Sequence, residues 1–292
     1  MVNKAKKYLA IVFLVLCVIN IEAVSEGIRF AIGICLNKIV PSLFVFVVTS
    51  DLLVLLLLEE ETIRIPPKIL IFFLGFLCGF PVGAIVCDKL CESGVISKGE
   101  VRKIVPWCNL ASPAFVIGAV GVSLLEDKAA GVIIYFSMVL SCAIPFLLLK
   151  TKNKDIKISK KETKVSATLF SSVEKGISTT LGICALICVF SAVISIINVY
   201  FDESIKTSLA IIFELSNGCI QATEYFKQNF IIKLAMCGFC CGWSGICVQM
   251  QILASLRSTK VKYFELAFFK FLQGISTSFF ASVIYYAYLH LK

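Results

Sequence analysis

Long apolar runs separated by short polar stretches dominate the chain. Crossing about 30 Å of hydrocarbon takes roughly 20 helical residues, and several runs approach or exceed that length. They are Tyr8–Val24, Ile39–Leu58, Val105–Leu125, Ala129–Leu149, Ile177–Tyr200 and Phe268–Leu289. The pattern predicts an all-α polytopic membrane protein with roughly six to eight spans. The first run follows several lysines and could be a signal peptide, but its cleavage site is poor, so we favour a retained helix over residues 1–26.

Composition supports this class. Of the 292 residues 59% are hydrophobic and 16% are charged, whereas soluble domains carry about 25% charged residues. The net charge of +9 does not indicate a nucleic-acid partner, because seven lysines lie in the stretch "KTKNKDIKISKKETK" within a basic linker, residues 150–165. Lysine clusters beside spans mark the cytoplasmic side. Docking of the linker to acidic lipid or to a partner is the alternative.

One apolar segment, Ile69–Leu90, is interrupted by "FLCGFPVGA" (Phe76–Ala84). If this segment crossed the membrane completely, the basic N-terminus and the basic linker would face opposite sides. A re-entrant helical hairpin keeps both in the cytoplasm and places its freed backbone groups against protein or a polar cavity. An ordinary kinked helix is the alternative.

The two halves of the chain share sequence features. "GIRFAIGIC" (Gly27–Cys35) matches "GISTTLGIC" (Gly176–Cys184), and "GFLCGFP" (Gly75–Pro81) matches "GFCCGWS" (Gly238–Ser244). A repeated membrane unit with a broken segment in each copy is typical of transporters. The sequence therefore predicts two inverted repeats, each with a re-entrant hairpin.

The predicted boundaries follow from this repeat. The first repeat with one extra span covers 27–149 and the second covers 166–292, on either side of the linker. For the inversion to hold, Thr207–Ala222 must penetrate the membrane only partly, and we expect that it does. In this scheme three basic residues fall on the outer side, against the charge rule: Arg257, Lys260 and Lys262.

Polar groups near these breaks are candidate solute contacts. Asn109 and Ser112 lie in "CNLASP", where Pro113 frees a carbonyl group, and half-helix ends of this kind bind small polar solutes. Ordinary hydrogen bonds between helices are the alternative for both side chains. The second broken region adds Ser244.

Placing an ionisable residue inside an apolar membrane segment costs free energy, and such residues are usually functional. Asp51 could carry a coupling proton or pair with a lysine. Lys270 could compensate the charge of an anion or couple its transport, unless it extends to the membrane interface. Glu214, Ser216 and Asn217 suggest a further broken helix that contacts solute, with an exposed turn as the alternative.

Other chemistries receive little support. None of the fourteen cysteines has a histidine nearby in the sequence, because the single histidine is His290 at the end of the chain, and buried thiols act as small hydrophobes. We expect no metal site and no cofactor. Hydrolase and Walker signatures are missing from the sequence, so we expect no enzyme activity. A scaffold or receptor would call for larger polar loops than this chain has.

The run Gly79–Gly121 resembles a known family. It contains GFP–x–GA, then L–x–x–x–G–x–IS–x–x–E, then CN–x–x–x–P–x–F–x–x–G–x–VG, and these motifs are similar to those of the YlbJ-type sporulation integral membrane proteins. That group has nucleoside-recognition or gate domains and is similar to half of a concentrative nucleoside transporter. Its motif falls here on Gly79, Pro81, Gly83, Asn109 and Pro113.

The resemblance implies a transporter of the outer, mother-cell-derived forespore membrane. The implied cargo is dipicolinic acid, a small aromatic dicarboxylate, moved across the lipid bilayer during sporulation. A nucleoside or another small metabolite is the alternative cargo, and a non-transporting sporulation scaffold is the alternative role. Homo-oligomers and sporulation partner proteins are both compatible with the sequence.

Overall fold

The computed structural model describes residues 2–59, 65–149 and 169–291, so the basic linker 150–165 lies outside the described residues. Over these three ranges the regular secondary structure is entirely helical, which confirms the all-α class. The helices before the linker are α1 (Val2–Ile19), α2 (Ile21–Ile34), π1 (Cys35–Ile39), α3 (Val40–Glu59), α4 (Pro67–Cys78), α5 (Val82–Glu92), α6 (Lys98–Ile104), π2 (Ala114–Leu124) and α7 (Lys128–Leu148). Those after it are α8 (Leu169–Tyr200), α9 (Glu203–Phe213), α10 (Leu215–Tyr225), α11 (Phe230–Trp243), α12 (Gly245–Ala254) and α13 (Tyr263–Leu291).

Polar caps fix where several of these helices begin. The hydroxyl of Ser97 accepts a hydrogen bond from the backbone N–H of Glu100, and the Glu100 carboxylate accepts one from the N–H of Ser97, a capping box at the start of α6. Asp127 caps α7 through the N–H groups of Ala129 and Ala130. Each cap satisfies backbone donors that the first helical turn leaves unpaired.

Several helices are suited to cross a bilayer. By length and composition, four described helices qualify, or up to five if a bent pair is counted as one span. The four are Lys128–Leu148, Leu169–Tyr200, Phe230–Ala254 and Tyr263–Leu291. The bent pair joins Lys7–Ile19 to Ile21–Asn37 at 96°, so the apolar run of 8–24 is not one straight helix.

The first interrupted segment folds back on itself. A Cβ atom on Gly75 of α4 would lie 3.3 Å from the Cα of Gly83 in α5. Eight residues of continuous helix would separate these positions by about 12 Å. The helices α4 and α5 therefore form a helical hairpin whose tip is Gly79–Pro81, rather than a kinked helix. Its depth in the membrane stays a prediction.

A second hairpin forms at Glu214, not at Ser244. A Cβ on Gly218 of α10 would lie 2.8 Å from the Cα of Ile211 in α9, so these two helices fold back within Thr207–Ala222. The segment Phe230–Ala254 is instead one candidate span, interrupted at Ser244. The expected match between Gly75–Pro81 and Gly238–Ser244 therefore does not pair two hairpins.

The first long helical segments of the two halves, α2–α3 and α8, run antiparallel to each other. Gly27 of α2 packs against Ser191 and Ser195 of α8, whereas Gly176 of α8 packs against Val48 of α3. Each half then continues with a hairpin, a broken segment and a long helix, α7 or α13. This order and the antiparallel first helices are what an inverted repeat requires.

The contacts also define which loops share one end of the bundle. Asp51 in α3 contacts Ser172 and Lys175, which lie just after the linker, so this end is called the linker end. At the same end, Asp88 of the first hairpin accepts hydrogen bonds from the N–H groups of Arg257 and Ser258. Arg257, Lys260 and Lys262 therefore lie at the linker end, and placing them on the outer side was wrong. With the linker on the predicted cytoplasmic side, these three residues obey the charge rule.

Candidate functional site

The tips of the two hairpins meet at one cavity of about 430 Å³. The tip of α4–α5 contributes Cys78–Phe80 and that of α9–α10 contributes Glu214–Ser216. Side chains from the helical segment α2–α3, from α8 and from both broken segments complete the wall. The other lining residues are Ile34, Ile39, Leu43, Phe46, Ser112, Ala114, Phe115, Gly118, Ala119, Ser123, Ile183, Ile187, Val248 and Gln251. Of the candidate solute contacts from the sequence, Gly79, Ser112, Glu214 and Ser216 line this central cavity.

Gly79 and Ser112 form one side of the central cavity. Gly79 has a positive φ of 83°, and a Cβ atom there would lie 2.9 Å from the Cβ of Ser112, so glycine suits both the backbone and the space. The hydroxyl of Ser112 accepts a hydrogen bond from the N–H of Phe115 at 3.3 Å, near the start of π2. The hairpin tip and the broken segment of the first half thus meet at the cavity wall.

Two glycines hold the broken segment against the hairpin. Cβ atoms on Gly75 and Gly83 would both overlap the carbonyl oxygen of Cys108. This oxygen therefore lies in a notch between α4 and α5. Only glycine at both positions leaves room for it. Gly83 is a packing position rather than part of the cavity wall.

Asn109 lies behind the hairpin tip. Its side chain is completely buried, the Oδ1 atom accepts a hydrogen bond from the N–H of Ala84 at 3.0 Å, and Nδ2 donates to the carbonyl of Val105 at 2.8 Å. Since both ends of the amide are used, Asn109 fixes α5 against the broken segment. Pro81 and Pro113 shape the same region without lining the cavity.

Glu214 is the acidic group at the second tip. It is 2% exposed, which excludes an exposed turn, and its carboxylate accepts hydrogen bonds from the N–H groups of Ser216 and Asn217 at 3.0 and 2.8 Å. The side-chain amide of Asn217 donates to the same carboxylate at 2.9 Å. Glu214 therefore caps α10 and is held by three donors, while Asn217 supports it outside the cavity lining.

Ser244 marks the break between α11 and α12. Its φ is +68°, its side chain is completely buried, and its hydroxyl is within hydrogen-bonding distance of the Cys241 carbonyl at 3.3 Å. A Cβ on the next residue, Gly245, would lie 3.1 Å from the Cα of Glu214. The backbone at Ser244 thus lets the break lie close to the second tip. Ser244 does not line the cavity.

Asp51 is paired near the linker end. It is 2% exposed, forms an ion pair with Lys89 of the first hairpin, and accepts a hydrogen bond from the hydroxyl of Ser172 at 3.0 Å. Lys175 is 3.4 Å from the same carboxylate. The structure therefore supports the pairing alternative for Asp51.

A second cavity, of about 230 Å³, adjoins the central one at this end. Both are lined by Ile183 and Gln251. Its wall also carries Lys89, Lys175 and Arg257 together with Asp88 and Glu92. Gln251 was not predicted as a site residue, because no local pattern marks a glutamine on an apolar helix as lining two cavities.

Lys270 is completely buried and does not extend to the interface. Its Nζ donates hydrogen bonds to the backbone carbonyl of Asn109 and to Oε1 of Gln273, the latter at 2.8 Å. It is not among the residues of the central cavity. Within the described ranges, no group of three or more His, Cys, Asp or Glu side chains is arranged to hold a metal ion.

Comparison with known proteins gives a distant relative. No family model matches the chain, and no solved structure matches it. The chain is similar to the sporulation integral membrane protein YlbJ of Bacillus subtilis (strain 168), with 21% identity over 319 residues that cover 90% of this chain and 78% of the relative. The similarity extends far beyond the motif run Gly79–Gly121 and supports the YlbJ-type resemblance of this integral membrane protein.

Proposed function

We propose that this protein is a transporter that moves a small aromatic carboxylate, dipicolinic acid, through the central cavity. The observation that carries the proposal is the meeting of two hairpin tips, one from each half, at a single cavity. Broken helices at the interface of repeats form the solute site in many transporters. Movement of one half against the other would open the cavity to each side in turn.

The cavity wall suits a small aromatic solute with polar groups. Phe46, Phe80 and Phe115 offer ring faces and edges for stacking. Ser112 of the first broken segment and Ser216 of the second hairpin tip offer hydroxyl groups. The negative charge of Glu214 is partly balanced by its three N–H donors, which lowers the repulsion that a carboxylate would meet.

The second cavity offers a route for an anion from the linker end. Lys89, Lys175 and Arg257 lie along it, and it meets the central cavity at Gln251. Basic groups at the mouth of a cleft raise the local concentration of anions. Asp88 repels an anionic solute less than its charge suggests, because the N–H groups and the hydroxyl of the 257–258 loop donate hydrogen bonds to its carboxylate.

The cellular role is proposed from the relative. That protein is named as a sporulation integral membrane protein, and we propose that this chain acts in sporulation in the outer, mother-cell-derived forespore membrane. In this proposal the protein has no enzymatic role and carries its solute unchanged.

A neutral solute such as a nucleoside is the second candidate. It is favoured by the central cavity itself, whose lining includes Glu214 and contains no lysine, arginine or histidine among the described residues. A dianion in a low-dielectric site generally needs cations or several N–H donors. Uptake of labelled uridine therefore belongs in the same experiment.

The test is uptake into proteoliposomes that contain the purified chain, with radiolabelled dipicolinate, benzoate and uridine compared against protein-free liposomes. Saturable uptake of dipicolinate, inhibited by an excess of unlabelled dipicolinate, is the expected result. Uptake of uridine alone would replace the proposed cargo by a nucleoside. No uptake of any of the three would contradict transport by this chain alone and would favour the scaffold.

A further inference from the structure

The side-chain nitrogen of Lys270 is buried at the break between α6 and π2. The side chain is completely buried, and its two acceptors, the Asn109 carbonyl and Gln273 Oε1, are neutral oxygens. Among the described residues, the lysine–carboxylate pairs closer than 4 Å are Lys89–Asp51 and Lys175–Asp51. The side-chain nitrogen of Lys270 therefore has no carboxylate partner among the described residues.

Carbonyl oxygens at a broken membrane helix are natural cation ligands. A break leaves them without the N–H donors of a continuous helix, and in transporters such oxygens coordinate Na⁺ or a proton-carrying group. An ammonium group supplies a single positive charge and three donors. Lys270 thus presents to the Asn109 carbonyl what a bound alkali ion would otherwise supply.

The break in the other half is satisfied differently. There the carbonyl of Trp243 accepts a hydrogen bond from the side-chain amide of Gln249 at 3.1 Å. Gln249 is completely buried and uncharged. The exposed carbonyl at the break therefore accepts a hydrogen bond from a neutral amide in one half and from a lysine in the other.

Lys270 and the first hairpin both contact the same segment, Cys108–Asn109. The carbonyl of Cys108 lies in the notch between Gly75 and Gly83, and the side chain of Asn109 binds the N–H of Ala84. Lys270 comes from α13, in the other half of the chain. Its side-chain nitrogen therefore links α13 to the first hairpin through the residues of the break.

We propose that Lys270 is a resident cation. Its ammonium occupies a monovalent cation site at the first break, so the packing of the hairpin against the break needs no bound Na⁺. Removing the side chain leaves a vacant site for a small cation such as Na⁺ or an alkylammonium. This inference concerns the protein's cation requirement and is independent of the identity of the solute.

The test measures thermal unfolding of the purified full chain in detergent, without any solute. The wild-type protein should have the same Tm in NaCl, KCl and N-methylglucamine chloride. Lys270→Ala should lower the Tm by about 5 °C or more in N-methylglucamine, since a few kcal/mol shift a domain of this size by several degrees. Methylammonium, ethylammonium or Na⁺ should restore a substantial part of that loss.

Lys68→Ala is the matched control. Lys68 also donates to a backbone carbonyl, that of Leu149 at 2.7 Å, but at the linker end and only partly buried. The Tm of Lys68→Ala should not rise specifically when small cations are added. A wild-type Tm that rises specifically with Na⁺ would overturn the proposal even if Lys270→Ala failed to fold. A folded Lys270→Ala protein that responds to no small cation would overturn it as well.

Discussion

Lys89 and Asp51 form a buried ion pair that joins the first hairpin to α3 at the linker end. The side chains are 9% and 2% exposed, and Ser172 donates a further hydrogen bond to the carboxylate. The preceding residue of the hairpin, Asp88, binds the loop between α12 and α13. Two adjacent residues therefore tie one end of the hairpin to both halves of the protein.

Removing the ammonium of Lys89 should destabilise the protein strongly. Lys89→Met leaves the Asp51 carboxylate buried with less compensation, and breaking a buried pair in this way costs about 3–5 kcal/mol. The free energy of unfolding in mixed detergent micelles measures the effect. The double variant Lys89→Met/Asp51→Asn should recover much of the loss because no uncompensated charge remains.

Lys175→Met is the control for this pair. Its side chain is 40% exposed and lies 3.4 Å from the same carboxylate, so its removal should cost less than about 1 kcal/mol. Equal losses for the Lys175 and Lys89 variants would contradict the assignment of Lys89 as the principal partner.

The glycine notch should tolerate no side chain. Gly83→Ala places a methyl group onto the carbonyl oxygen of Cys108, so the hairpin or the break must shift, and overpacking of this kind costs about 1–3 kcal/mol. Unfolding in mixed micelles measures it. Gly182→Ala is the matched substitution, because a Cβ at Gly182 meets no atom within 4 Å. A Gly83→Ala protein as stable as Gly182→Ala would show that the notch is not closely packed.

Membrane sidedness provides a third prediction. The loop that carries Lys260 should face the same side as the basic linker, because it is bound to the linker end of the first hairpin. The loop around Lys227, between α10 and α11, should face the opposite side. Protease sites inserted at Lys260, at Lys227 and in the linker report this in oriented vesicles. Cleavage at Lys260 and in the linker from opposite sides would rule out the arrangement.

The sequence predicted the first hairpin for a sound local reason. Gly79 and Pro81 interrupt an apolar segment, and the structure turns there with a φ of +83° at Gly79. The interruption of the next span at "CNLASP" was likewise predicted from Pro113. Both features depend on backbone properties of residues close together in the chain.

The second hairpin was misplaced because similar glycines serve another purpose. A Cβ on Gly242 would lie 2.7 Å from the Cα of Gly274, so "GFCCGWS" reflects close packing of α11 on α13 rather than a turn. The actual turn at Glu214 has neither glycine nor proline at its tip and depends on a carboxylate cap. A sequence pattern alone does not separate these two uses of small residues.

Site residues were predicted by type but not by orientation. Ser112 and Asn109 lie on one short segment, yet the hydroxyl faces the cavity while the amide is used by α5 and the Val105 carbonyl. Contacts between distant residues, such as Lys270 with Asn109, depend on how the two halves pack. Spacing along the chain does not specify them.

The most direct test of the account is solute uptake by a protein whose central cavity is filled. Gly118 lines the cavity and a Cβ there meets no atom within 4 Å, so Gly118→Phe should fold and occupy the solute's space. Gly33→Phe is the control, because Gly33 also has open space around it but lies outside the cavity lining. In proteoliposomes with equal amounts of folded protein, we predict that Gly118→Phe loses at least about 90% of saturable dipicolinate uptake, since a filled site loses more than a tenfold affinity, while Gly33→Phe keeps it. Normal uptake by Gly118→Phe would contradict the passage of solute through the cavity between the two hairpin tips.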